Sequence, residues 1–531
     1  MTIHQATPVL QPLALGAGAA GPYTPAVRDA NGTIYVSGQL PMREDGSIAT
    51  DAAPAEQLRL CLSNAFAILE SAAVDRAAIA RAVVYTTRLD AAPELNEAYV
   101  EAFGEWLPAR SMVEVNALPK GASVEVELTA VGPAPAPSAT AGDAYRAIAP
   151  AASEVVYCNT GTAGPPILPS LEAIAAASAL DHSLPRTTMA RFGTVMADAA
   201  RARAAIGTMV GADASSIALT HNTTEGMNIV TWGLAWQPGD RVLTTDIEHM
   251  GGLAPLYMLA QRFGVEVDFV AVEDADPADV PGLVAAALTD RTRLFAFSHV
   301  AYSTGARFPL AEIVAACHDN GTLVLGDGAQ SFAAMPLDLP ASGVDFYAMP
   351  GQKWLCGPEG TGALYVAEPM LDVLKPTFVG FFGADYEAYR IGDPESLRPA
   401  PGAQRYEVGS VYHPGVAGMA AAAEWHVAAD AEGAVTDRIA SLAERAITAF
   451  AALPGVEVLT PSAHAGLVSV RLPRDVDEAV AYLADRGVDV RSVHEVDALR
   501  VSTGFHNTED EVDRVVGLVA EFLAAPAVEA A

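Results

Sequence analysis

Lys353 stands among glycines in Met349-Pro350-Gly351-Gln352-Lys353-Trp354-Leu355-Cys356-Gly357-Pro358, and only Lys120 and Lys375 share its side chain. A primary amine deprotonates and adds to carbonyls to form a Schiff base, whereas a guanidinium does not. This chain uses arginine almost everywhere else and keeps lysine here, although a GC-rich coding bias alone would also leave a few lysines by chance. Three further features follow strand-like stretches. Asp327 ends the run Leu325-Gly326-Asp327-Gly328-Ala329-Gln330. An acid at the C-terminal end of a strand lies on the ligand side of an α/β sheet; there it either holds a ring nitrogen protonated or caps the next helix. His249, in Asp246-Ile247-Glu248-His249, offers a flat ring for stacking or fills a structural place. Thr220-His221-Asn222-Thr223-Thr224-Glu225-Gly226 opens a helix. Free N–H groups and hydroxyls at a helix start bind phosphate, and the same residues also serve as plain N-caps.

Those side chains need elements to carry them. At 531 residues and 51% hydrophobic content, the chain has room for two to four domains with large cores. A stretch at 133–152 rich in Pro, Ala and Gly reads as a linker. Before it, residues 1–132 read strand, strand, helix, strand, helix, strand, strand. The predicted helices cover Ala55–Ala73 and Leu95–Trp106, and the strands include Thr33–Ser37, Ala82–Thr87, Met112–Val115 and Val124–Val131. This is an α+β sandwich with helices on one face. After the linker, helices alternate with short apolar strands at Ile217–Thr220, Arg241–Thr244, Leu294–Phe297 and Thr322–Gly326. Near-continuous apolar strands fit an α/β sheet covered on both faces. The expected division places a large domain at about 165–400 and a small α+β domain at about 401–531, the latter with strands near 466–471 and 499–502 and a closing helix from Glu509.

The net charge of −33 argues against nucleic acid and anionic membranes as partners, since both need basic patches. Cys61, Cys158, Cys317 and Cys356 are scattered without a CxxC pair, so neither a metal site nor a disulfide framework is expected. No signal-peptide pattern opens the sequence and no apolar run reaches membrane-spanning length, so a reducing cytoplasm is the expected setting.

From about residue 153 to 520 the chain resembles the class V group of fold-type I pyridoxal-phosphate enzymes, which includes cysteine desulfurases, selenocysteine lyases, isopenicillin-N-epimerase-like proteins and kynureninases. The resemblance rests on Tyr157-Cys158-Asn159-Thr160-Gly161, Asn222 to Asn228, Glu248-His249, Ser298-His299-Val300, Asp327-Gly328-Ala329-Gln330, Gln352-Lys353-Trp354, Arg405 to Ser410 and Arg500-Val501-Ser502. It implies pyridoxal 5'-phosphate as cofactor, with Lys353 as its Schiff-base lysine and Asp327 on the pyridine nitrogen. By the same likeness, His249 stacks on the ring, Gln330 bonds the ring oxygen, and Thr223 and Thr224 clamp the phosphate. Arg500 takes the substrate carboxylate, a bidentate task suited to guanidinium, and Arg491 lines the same pocket. Three departures bear on the reaction. Desulfurases carry a mobile-loop cysteine between the positions of Arg491 and Arg500; here that stretch, Ser492 to Leu499, is short and has none. Gln352, counted with the cofactor-binding set, stands where desulfurases often have histidine. Tyr302 stands where asparagine is frequent, so substrate contacts near the ring have changed.

Residues 1 to about 132 resemble the Rid family of enamine/imine deaminases, whose fold is a chorismate-mutase-like α+β. The matching stretches are Gly21-Pro22-Tyr23, Val36 to Pro41, Leu95 to Tyr99, Pro108-Ala109-Arg110-Ser111 and Leu118 to Glu127. The likeness implies that Arg110 grips the carboxylate of a 2-imino acid and that Glu125 positions the hydrolytic water. Tyr23, Gly38 and Asn96 would line the pocket. Together the two resemblances imply a small-molecule amino acid substrate and a bifunctional lyase. Its β-elimination releases an enamine that the first module hydrolyses to keto acid and ammonia. An aminotransferase or epimerase with a scavenging or structural Rid module is the alternative. Class V dimers and Rid trimers imply a homo-oligomer, a dimer or a hexamer.

Overall fold

Val124-Glu125-Val126-Glu127-Leu128 alternates apolar and acidic side chains, so its strand must bury one face and expose the other. In the computed structural model, which describes residues 11–13, 24–28, 33–43, 45–71, 74–104, 106–131, 141–430 and 432–525, it does so. Tyr23 and residues 133–140 of the expected linker lie outside the described residues. The chain divides into two units, Met1–Ala139 and Thr140–Ala531.

The first unit is a six-stranded sheet of β1 (Gln11–Leu13), β2 (Ala26–Arg28), β3 (Thr33–Gln39), β4 (Ile79–Thr86), β5 (Ala109–Glu114) and β6 (Val124–Val131), in the order β1-β2-β3-β6-β4-β5. Among the described residues of this unit only the β4–β5 pair is parallel. Helices Pro54–Ser71 and Ala92–Phe103 cover one face, where Val124, Val126 and Leu128 are buried with Leu58, Leu62, Leu95 and Tyr99. By alternation, Glu125 and Glu127 point out of the opposite face, where Tyr85 donates its hydroxyl to Glu127 at 3.2 Å.

The second unit begins with β7 (Val156–Tyr157) and then builds a seven-stranded sheet. Its strands are β8 (Ile217–Thr220), β9 (Arg241–Thr245), β10 (Glu266–Val270), β11 (Thr292–Ser298), β12 (Leu323–Asp327), β13 (Phe346–Pro350) and β14 (Gly362–Val366), ordered β10-β9-β11-β12-β13-β14-β8. Strands β9 to β13 run parallel, and β14 is antiparallel to both of its neighbours. Strands β11, β12 and β13 are almost wholly buried, as a sheet covered on both faces requires. A four-stranded sheet of β15 (Glu457–Val458), β16 (Leu467–Arg471), β19 (Ala498–Ser502) and β18 (Arg491–Val493) follows, while β17 (Val488–Asp489) pairs with β7.

Two boundaries differ from the sequence reading. Residues 141–152 do not serve as a linker: helix Ala141–Ala147 sets Tyr145 edge-on to Trp425 and Phe505, and Arg146 pairs with Glu511. Apolar and charged anchors hidden among alanines hold this stretch on the second unit. Helix His413–Ala429, expected in the small domain, packs instead on Leu168–Ser183 and Met189–Met209 of the large one. Its alanines and glycines permit that close approach: a Cβ at Gly418 would lie 2.6 Å from Ile174. No described helix is long and apolar enough to cross a membrane.

Candidate active site

The carboxyl ends of β8, β9, β11, β12 and β13 each deliver a side chain to one rim of the large sheet, where ligands of open α/β sheets bind. Lys353 lies three residues beyond β13, and Asp327 ends the adjacent β12. Burial pulls the Lys353 amine down to about 8; Arg500 and Arg491 add to that effect while Asp327 opposes it. Burial raises Asp327, and the Ala329 N–H (2.8 Å from Oδ1) and Lys353 pull it back. His249 follows β9 and caps helix Met250–Phe263, its Nδ1 accepting the Gly251 N–H at 3.0 Å. That bond leaves the proton on Nε2 in the neutral ring, and burial with Lys353 nearby lowers the pKa below its ordinary value.

After β8, Asn222 caps helix Thr223–Gly233 through Oδ1 to the Glu225 N–H at 2.9 Å, which uses that donor and leaves the N–H groups of Thr223 and Thr224 for a ligand. Thr223 is buried and Thr224 is exposed. A Cβ at Gly251 would lie 2.7 Å from Thr224 Oγ1, so that hydroxyl sits close to the His249 turn. Gln330 is engaged at both ends: Nε2 donates to Gly161 O (2.8 Å), and Oε1 accepts from Trp354 Nε1 (2.9 Å). One N–H of its amide is left for a ligand. Gln352 Oε1 is buried with no partner among the described residues.

Arg500 is 1% exposed and forms no ion pair among the described residues. Its Nη1 donates to Tyr302 O at 3.2 Å, its Nη2 to Thr162 Oγ1 at 2.6 Å, and its Nε has no partner. Burial, with Arg491 next, depresses it to about 10. Arg491 is its cross-strand partner and is exposed. A buried cation without a counter-ion is costly, and a ligand carboxylate removes that cost. Tyr302 is 8% exposed and meets the His249 ring edge to face at 5.1 Å.

In the first unit, Arg110 Nη2 donates to Asn96 Oδ1 at 2.7 Å, and its guanidinium lies 4.5 Å above the Tyr99 ring. Asn96 and Tyr99 belong to helix Ala92–Phe103, so Arg110 points to the helix-covered face. Glu125 points out of the other face and lies against Gly38, where a Cβ would fall 1.8 Å from its Oε1. Burial and Glu127 raise its pKa. The structure thus brings Arg110 to Asn96 and Glu125 to Gly38, and it sets the two pairs on opposite faces of one sheet.

Residues 168–515 match the family model described as Aminotransferase class-V. The chain belongs to this family. Residues 15–132 match the model described as Endoribonuclease L-PSP, and the chain carries a Rid-family domain there. A Mycobacterium leprae (strain TN) protein named "Probable cysteine desulfurase 2" is 34% identical over 342 residues, 60% of this chain and 79% of that protein. A solved complex of the cystine C-S lyase C-DES with its reaction product cysteine persulfide is 32% identical, with a TM-score of 0.66, and the match covers 70% of this chain and 99% of that one. A mutant of C-DES with glycine covalently linked to its PLP cofactor gives a TM-score of 0.67 at the same identity, covering 71% and 99%.

This class-V chain is a pyridoxal-phosphate enzyme, and its residues fit the cofactor. The unpartnered Gln352 Oε1, the uncapped N–H groups at Thr223–Thr224, the imidazole of His249 and the buried Asp327 and Lys353 are the polar groups and flat ring that such a cofactor's ring and phosphate call for. Sequence reasoning gave no role to Thr162, which holds Arg500, or to Tyr99, which supports Arg110. It also gave none to Glu248. Ser298 donates to that buried carboxyl from its N–H and Oγ, and Thr245 from its Oγ1, tying the ends of β9 and β11 together. The place of Thr162 one residue past a matched motif was the available signal; the other two sat inside matched motifs.

Proposed function

We propose that the class-V unit is a β-eliminating carbon–sulfur lyase for a cysteine-conjugate-type amino acid, and that the Rid domain hydrolyses the released product. The observation that carries this reading is the Arg491–Ser502 hairpin beside Lys353. It offers a buried, unpaired Arg500 for a substrate carboxylate and contains no cysteine to take up sulfur. All four cysteines are buried, and burial holds their thiols well above the ordinary range, Cys356 included, so none is a ready nucleophile. The likeness to a cystine C-S lyase supports the same reaction class.

Bound pyridoxal phosphate supplies an electron sink that acidifies the Cα–H of an attached amino acid. Asp327 holds the proton at the ring nitrogen, and His249 fixes the ring plane. Lys353, with its amine near 8, moves the proton at Cα. Arg500 holds the α-carboxylate, and the exposed Arg491 is placed for an anionic group further along the substrate. The Cβ–S bond breaks with both electrons on sulfur, and the thiolate takes up a proton. The product is 2-aminoacrylate, which tautomerises to an imine. In the Rid domain, Arg110 grips its carboxylate and Glu125 directs water onto the imine carbon, giving keto acid and ammonia. Since one chain sets these two residues on opposite faces, the hydrolytic site forms between copies. The tether keeps the second site at high local concentration.

The test incubates the purified chain, loaded with pyridoxal phosphate, with S-substituted cysteines and their sulfoxides. Thiol or sulfenate, keto acid and ammonia are expected in equal amounts. Absence of keto acid with every substrate would contradict the reading. Stoichiometric conversion of the cofactor to its amine form, restored by a keto acid, would point to an aminotransferase.

A further inference from the structure

We propose that Tyr302 is a positioning residue that latches the Arg491–Ser502 hairpin onto the site and thereby fixes Arg500 relative to His249. Four contacts from three parts of this one residue support it. Its backbone carbonyl accepts Arg500 Nη1 at 3.2 Å. Its ring meets the His249 ring edge to face at 5.1 Å and 88°. The same ring forms a small buried cluster with Val493, Val496 and Ala498, which come from both strands of the hairpin and the turn between them. Its hydroxyl faces Glu495 on that turn, near enough to lower the carboxyl and raise the phenol.

The hairpin needs such an anchor. Strand β18 is three residues long and lies at the sheet edge, and so short a pairing is marginal by itself. The turn returns through Asp497 at φ +49°, a left-handed conformation that disfavours a non-glycine residue. What closes the hairpin is therefore side-chain packing, and Tyr302 is the member of that cluster that comes from the large domain's rim rather than from the hairpin. One residue then joins the arm that would hold the substrate carboxylate to the arm that would hold the cofactor ring. The inference rests on the reading above only in assigning the carboxylate to Arg500.

The test uses the full chain loaded with pyridoxal phosphate, as wild type, Tyr302→Phe and Tyr302→Ala. Hydrogen–deuterium exchange of the amides of 491–499 is expected to speed up at least about tenfold in Tyr302→Ala, with strands β11 to β13 unchanged. Tyr302→Phe keeps the ring and loses the hydroxyl that faces Glu495, and about a threefold increase is expected. Titration with L-alanine, which has no β-leaving group, is followed by cofactor absorption. It should show about tenfold weaker binding in Tyr302→Ala and within about threefold of wild type in Tyr302→Phe. Exchange and L-alanine affinity at wild-type levels in Tyr302→Ala would overturn the latch. If that variant does not fold, wild-type exchange of 491–499 in Tyr302→Phe would overturn it. Exchange is read without turnover, so a missing elimination reaction would sink the proposed function and leave the latch standing.

Discussion

Burial sets the chemistry of Lys353. An ordinary lysine amine titrates near 10.5, and this one is held near 8. At pH 8 about half of it is neutral, against well under 1% of an ordinary lysine, which is roughly a hundredfold more free amine. The sign follows from the direction of the shift: neutral amine, and with it capture of pyridoxal phosphate by the cofactor-free chain, should rise with pH and level off above about 8. Stopped-flow absorbance across pH 6–10 checks this, and a midpoint near 10 would deny it. Lys353→Arg keeps the charge and cannot capture the cofactor, so turnover should fall by about a thousandfold or more. The types and order of Lys353, Asp327 and His249 were legible in the sequence because each ends or follows a buried apolar strand. Partners distant in sequence were not legible. Thr162 is 338 residues from the Arg500 it supports, and the two bonds that occupy Gln330 come from Gly161 and Trp354.

Strands and helices reach the site through braces that the motifs disguise. Glu407, inside the matched Arg405–Ser410 stretch, is no reactant. It accepts from Arg203 at 2.8 Å and from the Leu219 N–H at 3.0 Å, which ties helix Met189–Met209 to β8. Both side chains of this pair are nearly buried, so Glu407→Ala strands a guanidinium. It should cost about 3–5 kcal/mol, read from the denaturation midpoint of the second unit. Gly38 is a milder case. It lies in a bulge between Val36 and Gln39 of β3, and the nearest atoms an alanine there would meet belong to the Glu125 side chain, Oε1 first. Gly38→Ala should therefore fold and eliminate normally, yet lose imine hydrolysis by at least about tenfold. Equal hydrolysis in the variant would show that Glu125 does not depend on this bulge. Periodicity located these strands to within a few residues, because alternation and apolar runs are local signals. It missed the docking of 141–152 and of helix His413–Ala429, because an alanine-rich surface shows no face until its partner is in place.

At the scale of the molecule, Arg110 and Glu125 lie on opposite faces of one sheet, so the proposed hydrolysis requires assembly. Chains carrying Arg110→Ala and chains carrying Glu125→Ala should each fail at imine hydrolysis. Co-assembled in equal amounts, they should recover about a quarter of wild-type hydrolysis, the share of composite sites that draw both intact residues. No recovery would place both residues' work within one chain. The account as a whole stands on two linked reactions in one polypeptide, and one measurement addresses both. Wild type and Glu125→Ala, each loaded with pyridoxal phosphate, are given an S-substituted cysteine, and thiol, imine, keto acid and ammonia are followed in time. The account predicts equal thiol release from the two, with prompt keto acid from wild type and an imine that accumulates only in the variant. Thiol release with identical imine lifetimes in both chains would contradict the linkage, and no thiol release from either would contradict the elimination itself.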